Sequence, residues 1–244
     1  MEGSWSYGWR AWIGRIEPSY RWVEGPIWEK ILPEGVDLIV SCVGVERLSD
    51  EHLEKAYDNI TEHVKRFANE SFIDVINVGG SPVVGFKGYK GYLKLEDDLA
   101  KLTNKPIVTS LGATIAALKA SGIKKLVMVA PYVDKRTNER IEVLHDAGFE
   151  VLASKGLGLE KNTEFCTLNS STGYRMAKEI ALNNPNADGV FMACSGWPTV
   201  AHLKHLEDDL DKPVISSLQA QIWACLKQAN VKESITGFGT LFEK

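Results

Sequence analysis

The chain has 244 residues, 44% of them hydrophobic and 25% charged, with a formal net charge of −4. Such a composition describes a globular protein long enough for one large core or two ordinary ones. The acidic balance argues against a nucleic-acid partner, which needs a basic face, and no apolar run reaches the roughly 20 residues of a membrane span.

The opening stretch, "MEGSWSYGWRAWIGRIEPSY", mixes tryptophans with charges and lacks a continuous apolar segment. It does not read as a secretory leader, and a cytoplasmic protein is expected. Trp5, Trp9 and Trp12 are left as either a cover for a site or a surface for a partner subunit. Next come short, nearly continuous apolar runs: "VDLIVSCV" (36–43), "FIDVINV" (72–78), "PIVTSL" (106–111), "KLVMVAPY" (125–132), "FEVLASKG" (149–156), "GVFMACSG" (189–196) and "PVISSL" (213–218). These read as strands of parallel sheets covered on both faces. Helical patterns lie between them. The longest, 49–70, opens with Ser49 and places Leu53, Tyr57, Ile60 and Val64 at three- and four-residue steps. Residues 112–122 and 169–184 are similar. The alternation predicts an α/β fold.

The chain repeats itself. "LEDDL" occurs at 95–99 and 206–210, and "KPIVTSL" at 105–111 returns as "KPVISSL" at 212–218. Two similar α/β lobes related by an approximate two-fold axis follow, divided as 1–115 plus 221–244 and 116–220. Extended backwards, the repeat sets "DVINVGGSPVV" (74–84) against "GVFMACSGWPTV" (189–200), and this alignment pairs Cys194 with Gly79. Ligands of parallel α/β sheets gather at the carboxyl ends of strands. Two such ends facing across a dyad make one cleft, with a thiol on one wall.

There are four cysteines, Cys42, Cys166, Cys194 and Cys225, with no CxxC pair, and the five histidines show no ligand spacing with them, so neither a zinc site nor disulfides are expected. Cys225 lies in a helical pattern and reads as core, Cys42 as packing. His202 and His205 read as a solvated helix face.

"INVGGS" (76–81), "APYVDKRTNER" (130–140), "MACSG" (192–196), "LEDDLDKPVISSLQAQIW" (206–223) and "FGTLF" (238–242), in this order, resemble the aspartate/glutamate racemase superfamily. The similarity is to its arylmalonate decarboxylase and maleate cis-trans isomerase branch. The resemblance implies two lobes with four-stranded parallel sheets and an active site in the cleft between them. Racemases and maleate isomerases of that superfamily carry a cysteine on each lobe. Here the second lobe has Cys194 and the first has Gly79, as in the decarboxylases, so a two-base mechanism is lost.

The implied chemistry is cofactor-independent and metal-free. A small α-substituted dicarboxylate loses CO₂, the enediolate is held by fixed donors, and Cys194 protonates it from one face. The resemblance makes Gly80, Ser81, Tyr132 and Ser195 the carboxylate binders. Pro18, Val43, Gly79 and Gly196 line the pocket, and Tyr20 joins Pro18 and Val43 as a possible apolar wall. Two departures stand out. Gly80 takes the place of a first hydroxyl, leaving Ser81 alone, and Trp197 stands where the decarboxylases have smaller residues. Three functions stay open: an arylmalonate-type decarboxylase, a maleate-type isomerase or racemase, and a non-catalytic carboxylate binder. A monomer or small homo-oligomer is expected.

Overall fold

The computed structural model describes residues 7–20 and 22–244; Trp5 lies outside the described residues. In chain order the elements are β1 (Ala11–Glu17), α1 (Glu24–Ile31), β2 (Val36–Cys42), α2 (Asp50–Asn69), β3 (Val75–Val78), α3 (Ser81–Val84), α4 (Gly88–Ala100), β4 (Ile107–Thr109) and α5 (Ser110–Ala120). There follow β5 (Lys125–Tyr132), α6 (Asp134–Asp146), β6 (Glu150–Leu159), α7 (Asn162–Phe165), α8 (Ser170–Leu182), β7 (Gly189–Met192), α9 (Leu203–Leu210), β8 (Val214–Ser216) and α10 (Ser217–Gln228). One four-stranded sheet runs β2-β1-β3-β4 and the other β6-β5-β7-β8, with all neighbours parallel. This is the expected α/β architecture, wound the same way in both lobes.

The repeated "KP[IV][VI][TS]SL" stretch is a strand-to-helix switch. Thr109 ends β4 and its hydroxyl accepts the Gly112 N–H at 3.0 Å. Ser216 ends β8 and accepts the Gln219 N–H at 3.2 Å. Each hydroxyl satisfies a donor that the first helical turn leaves open. The strands expected at 106–111 and 213–218 are therefore shorter, because their last residues already belong to the helices. In α2, Ser49 caps the N-terminus as expected, and Leu53, Ala56, Ile60, Val64 and Phe67 are buried. Tyr57 is only partly buried, with the Lys87 ammonium over its ring at 4.3 Å.

The strand β1 was not foreseen. It is central in its sheet and buried, yet it carries Arg15 and Glu17. Arg15 is bonded to Glu17 at 2.9 Å and to Gln221 at 3.1 Å, and also to Glu24 and Asn77. The charges are neutralised inside the core, so a strand with two ionised residues survives there. Gln221 lies on α10, which packs against β3, β4 and α1 of the first lobe and against α5. Trp9 is exposed, whereas Trp12 is partly buried with its ring edge-on to Phe72.

Candidate active site

Strand register fixes which residues of the two lobes correspond. Val78 sits opposite Ile16 and Thr109; Met192 sits opposite Val129 and Ser216. One residue on, the Gly79 N–H donates to Ile16 O at 2.8 Å, and the Ala193 N–H donates to Val129 O at 2.9 Å. Gly79 therefore matches Ala193, and the counterpart of Cys194 is Gly80, not Gly79. Ser81 matches Ser195. The two runs are equally apolar up to this point, so their sequences tolerate a one-residue slip that the hydrogen-bond ladder does not. Backbone angles agree with the corrected pairing: φ is +82° at Gly80 and +94° at Cys194. The correction moves the missing hydroxyl by one place: Ser81 directly follows the glycine, and Pro82 stands where a second hydroxyl is expected.

A positive φ strains a residue with a Cβ, so Cys194 is held where glycine would be at ease. Its N–H donates to Ser217 Oγ at 3.1 Å, at the first turn of α10. The Gln221 amide in turn donates to Ser217 O at 2.8 Å, and its carbonyl accepts from Arg15. A chain of hydrogen bonds thus runs from the thiol-bearing loop of one lobe to the buried charges under the other. Cys194 is 3% exposed, and Ser195 and Gly196 are buried beside it.

On the first lobe, Gly79, Gly80 and Ser81 are buried at the tip of β3. Pro18 packs on Gly80: a Cβ there would stand 2.8 Å from the Pro18 Cγ. The Val43 N–H donates to Glu17 O at 2.8 Å, which places Val43 beside the end of β1. Tyr20 is 78% exposed and does not form a wall. The Trp197 ring turns into the second lobe, 3.2 Å from where a Cβ on Gly173 would lie, so its bulk is absorbed beneath α8. Tyr132 is buried at the end of β5, with its ring edge-on to Phe165 at 5.5 Å. His202 is tied to Ser170 Oγ at 3.0 Å. Burial pushes the Cys225 thiol up, in keeping with a core residue.

The lobes are stitched beside these tips. Val45 N–H donates to Pro18 O at 2.5 Å, and Asn162 of α7 donates its amide to Val45 O at 3.0 Å. The Leu48 N–H reaches Glu160 O at 3.1 Å. Asn162 is fully buried, and its Oδ1 has no partner among the described residues; the same holds for the hydroxyls of Ser19 and Thr199. Sequence reasoning singled out none of these three buried polar groups. Ser19 follows a candidate wall residue and Thr199 the cysteine loop, which was the available signal.

Paired four-stranded parallel sheets, with a thiol and a glycine at matching strand tips, define a class of two-lobed α/β proteins. A variant of arylmalonate decarboxylase, with a glycine replaced by cysteine and a cysteine by serine and solved in liganded form, shares this fold. Its TM-score is 0.88 at 20% identity, covering 96% of this chain and 99% of that one. The family model described as arylmalonate decarboxylase matches residues 23–242, and the chain belongs to that family. It is 30% identical to a maleate isomerase of Geobacillus stearothermophilus over 153 residues, 61% of each chain. It is 21% identical to the arylmalonate decarboxylase of Bordetella bronchiseptica over 234 residues, 95% of this chain and 96% of that one. Among the described residues, no helix is long and apolar enough to cross a membrane.

Proposed function

We propose that the protein is a cofactor-independent decarboxylase of α-substituted malonate-type dicarboxylates, with Cys194 as its single proton donor. The observation that carries this reading is the register match of Cys194 with Gly80. One wall offers a thiol and the other offers no side chain, so protons reach one face of a planar intermediate only. The two substituted positions of the liganded decarboxylase variant stand as far apart in its chain as Gly80 and Cys194 do here, which supports the pairing.

The steps follow from charge. The bond to the departing carboxyl breaks, CO₂ leaves neutral, and the electron pair moves onto the retained carboxylate as an enediolate. Ser81, Tyr132 and the backbone N–H groups at Gly80 and Ser195 are its proposed donors. Groups fixed there favour the enediolate over the carboxylate, which lowers the barrier rather than merely tightening binding. Cys194 then delivers its proton to carbon and regains one from solvent.

A second reading is maleate isomerisation, favoured by the 30% identity to a maleate isomerase. There Cys194 adds to the double bond as a thiolate, the single bond rotates, and the thiolate leaves. One assay separates the two. With phenylmalonate in heavy water the proposal predicts CO₂ and phenylacetate carrying one stereochemically defined deuterium on carbon; with maleate the second reading predicts fumarate. Fumarate without CO₂ release would replace the first reading by the second.

A further inference from the structure

Three arginines are buried among the described residues: Arg15, Arg136 and Arg140. Two are fully engaged. Arg15 meets Glu17, Glu24, Asn77 and Gln221. Arg136 donates to Leu48 O at 2.7 Å and to both carboxylate oxygens of Glu139, and it pairs with Asp50. Arg140 differs. It is 5% exposed, and its Nη1 has no hydrogen-bond partner among the described residues. Its chain neighbour Glu139 is already held by Arg136. Buried charges are normally paired, and leaving one unpaired is costly, so this guanidinium calls for an anion.

Its location says which anion. Arg140 lies on α6 of the second lobe, where α6 packs against α4 of the first. The point where a Cβ on Gly85 would stand is 3.6 Å from Arg140 Nη1 and 3.2 Å from Ser81 O. Tyr132 is also within electrostatic reach of the guanidinium. Arg140 thus lies near the main chain of Ser81 in one lobe and within charge range of Tyr132 in the other, the two residues proposed to hold the carboxylate.

We propose that Arg140 is a positioning residue that balances charge on the substrate carboxylate held by Ser81 and Tyr132; the inference rests on the carboxylate-site reading above. It acts through those donors rather than by touching the substrate. In decarboxylation the pair released from the breaking C–C bond goes onto the retained carboxylate, which passes from one negative charge to two. Thiolate addition to maleate forms a C–S bond and sends the C=C pair to a carboxylate in the same way. A fixed cation nearby gains more from the doubly charged form than from the ground state. At a separation of several ångströms in a protein interior, this amounts to roughly tenfold to a hundredfold in rate.

The test uses Arg140→Met and Arg140→Lys in the full chain, with two ligands titrated by calorimetry: phenylacetate, singly charged, and benzylphosphonate, at a pH where its headgroup is doubly charged. Loss of the cation should weaken benzylphosphonate about tenfold or more, and phenylacetate less than threefold. The lysine variant should keep most of the difference, and the ligand-free Tm of Arg140→Met should not fall. With whichever substrate the wild type turns over, kcat should drop and KM should hardly change. Equal weakening of both ligands, or of neither, in a folded variant overturns the proposal, as does a lowered ligand-free Tm in both variants without ligand discrimination. A wild type that binds both ligands but turns over nothing would sink the proposed reaction and leave the Arg140 comparison decisive. A wild type that binds neither would remove the carboxylate site and this proposal together.

Discussion

The two strand tips are built alike and braced differently. After β7, Cys194 takes a positive φ, and its N–H is held by Ser217 at the head of α10. After β3, Gly80 takes the matching φ, and the residue equivalent to Ser217 is Ser110 at the head of α5. The Ser110 hydroxyl is buried with no partner among the described residues. One loop therefore carries a side chain at a strained position and has a dedicated bond to hold it. Its twin has neither the side chain nor the bond. The lesson is that the duplication kept the backbone shape while only one copy kept a reason for it.

Removing the thiol is the largest perturbation. If the asymmetry serves a single proton donor, Cys194→Ala should cut kcat by roughly three orders of magnitude or more, the scale of losing a general acid together with its aligned hydrogen bonds. Affinity for an inert carboxylate should survive. Residual turnover near the wild-type level, measured after any contaminating activity is ruled out, would end the single-donor account.

The empty wall can be filled instead. Gly80→Ala introduces a Cβ at φ +82° and 2.8 Å from Pro18 Cγ. The backbone strain alone costs about 1–3 kcal/mol, and the rigid proline ring adds to it. Chemical denaturation should register this loss with an unchanged m-value. A variant as stable as the wild type would mean that the first-lobe tip relaxes freely.

The brace comes next. Ser217→Ala leaves the buried Cys194 N–H without its acceptor, a penalty of about 1–3 kcal/mol. Ser110→Ala removes a hydroxyl with no recorded partner and should be neutral within about 0.5 kcal/mol or slightly stabilising. Measured side by side, the pair tests the comparison directly, and equal effects would erase it. Ser217→Ala should also lower kcat more than it raises KM, since it frees the loop that aims the thiol.

Much of this was legible in the residues, for reasons that can be named. The "KP[IV][VI][TS]SL" repeat announced both lobes because the cap hydroxyl and the strand it ends are encoded side by side. Cys194 stood out because a thiol at the end of an apolar run has few packing reasons to be followed by Ser and Gly. The match to Gly79 failed by one residue because apolar content is uniform along both strand ends, whereas register is set by hydrogen bonds. The strand β1 was hidden by Arg15 and Glu17, which look like solvent-facing residues unless Glu24 and Gln221, remote in sequence, are known to meet them. "DKRTNER" concealed Arg136 and Arg140 in the same way: all seven residues are polar, as on a solvated helix face, yet Arg136, Thr137 and Arg140 are buried where α6 meets the rest of the molecule. Polar burial depends on what a side chain lies against, and a chain read in order does not contain that.

The smallest expected effect concerns the rim where the lobes meet. Asp50 of α2 reaches across to Lys135 at 2.8 Å and to Arg136. The hydrogen bond from Lys135, and after it that from Arg136, holds its carboxyl below the usual range. Asp50 is 59% exposed, so solvent screens most of this, and Asp50→Asn should cost less than about 1 kcal/mol. The sign in pH is fixed by the depressed pKa. The contribution is present above the unfolded carboxylate value near ~3.9 and fades as pH falls through the folded one. Wild-type and Asp50→Asn melting curves should therefore differ slightly at neutral pH and converge in acid. A gap that persisted or widened in acid would show that Asp50 acts through packing of the lobe junction and not through its charge. Arg136, buried but paired with carboxylates at the rim, and Arg140, buried with an unpartnered Nη1, would then no longer be opposite cases of how this protein places arginines between its lobes.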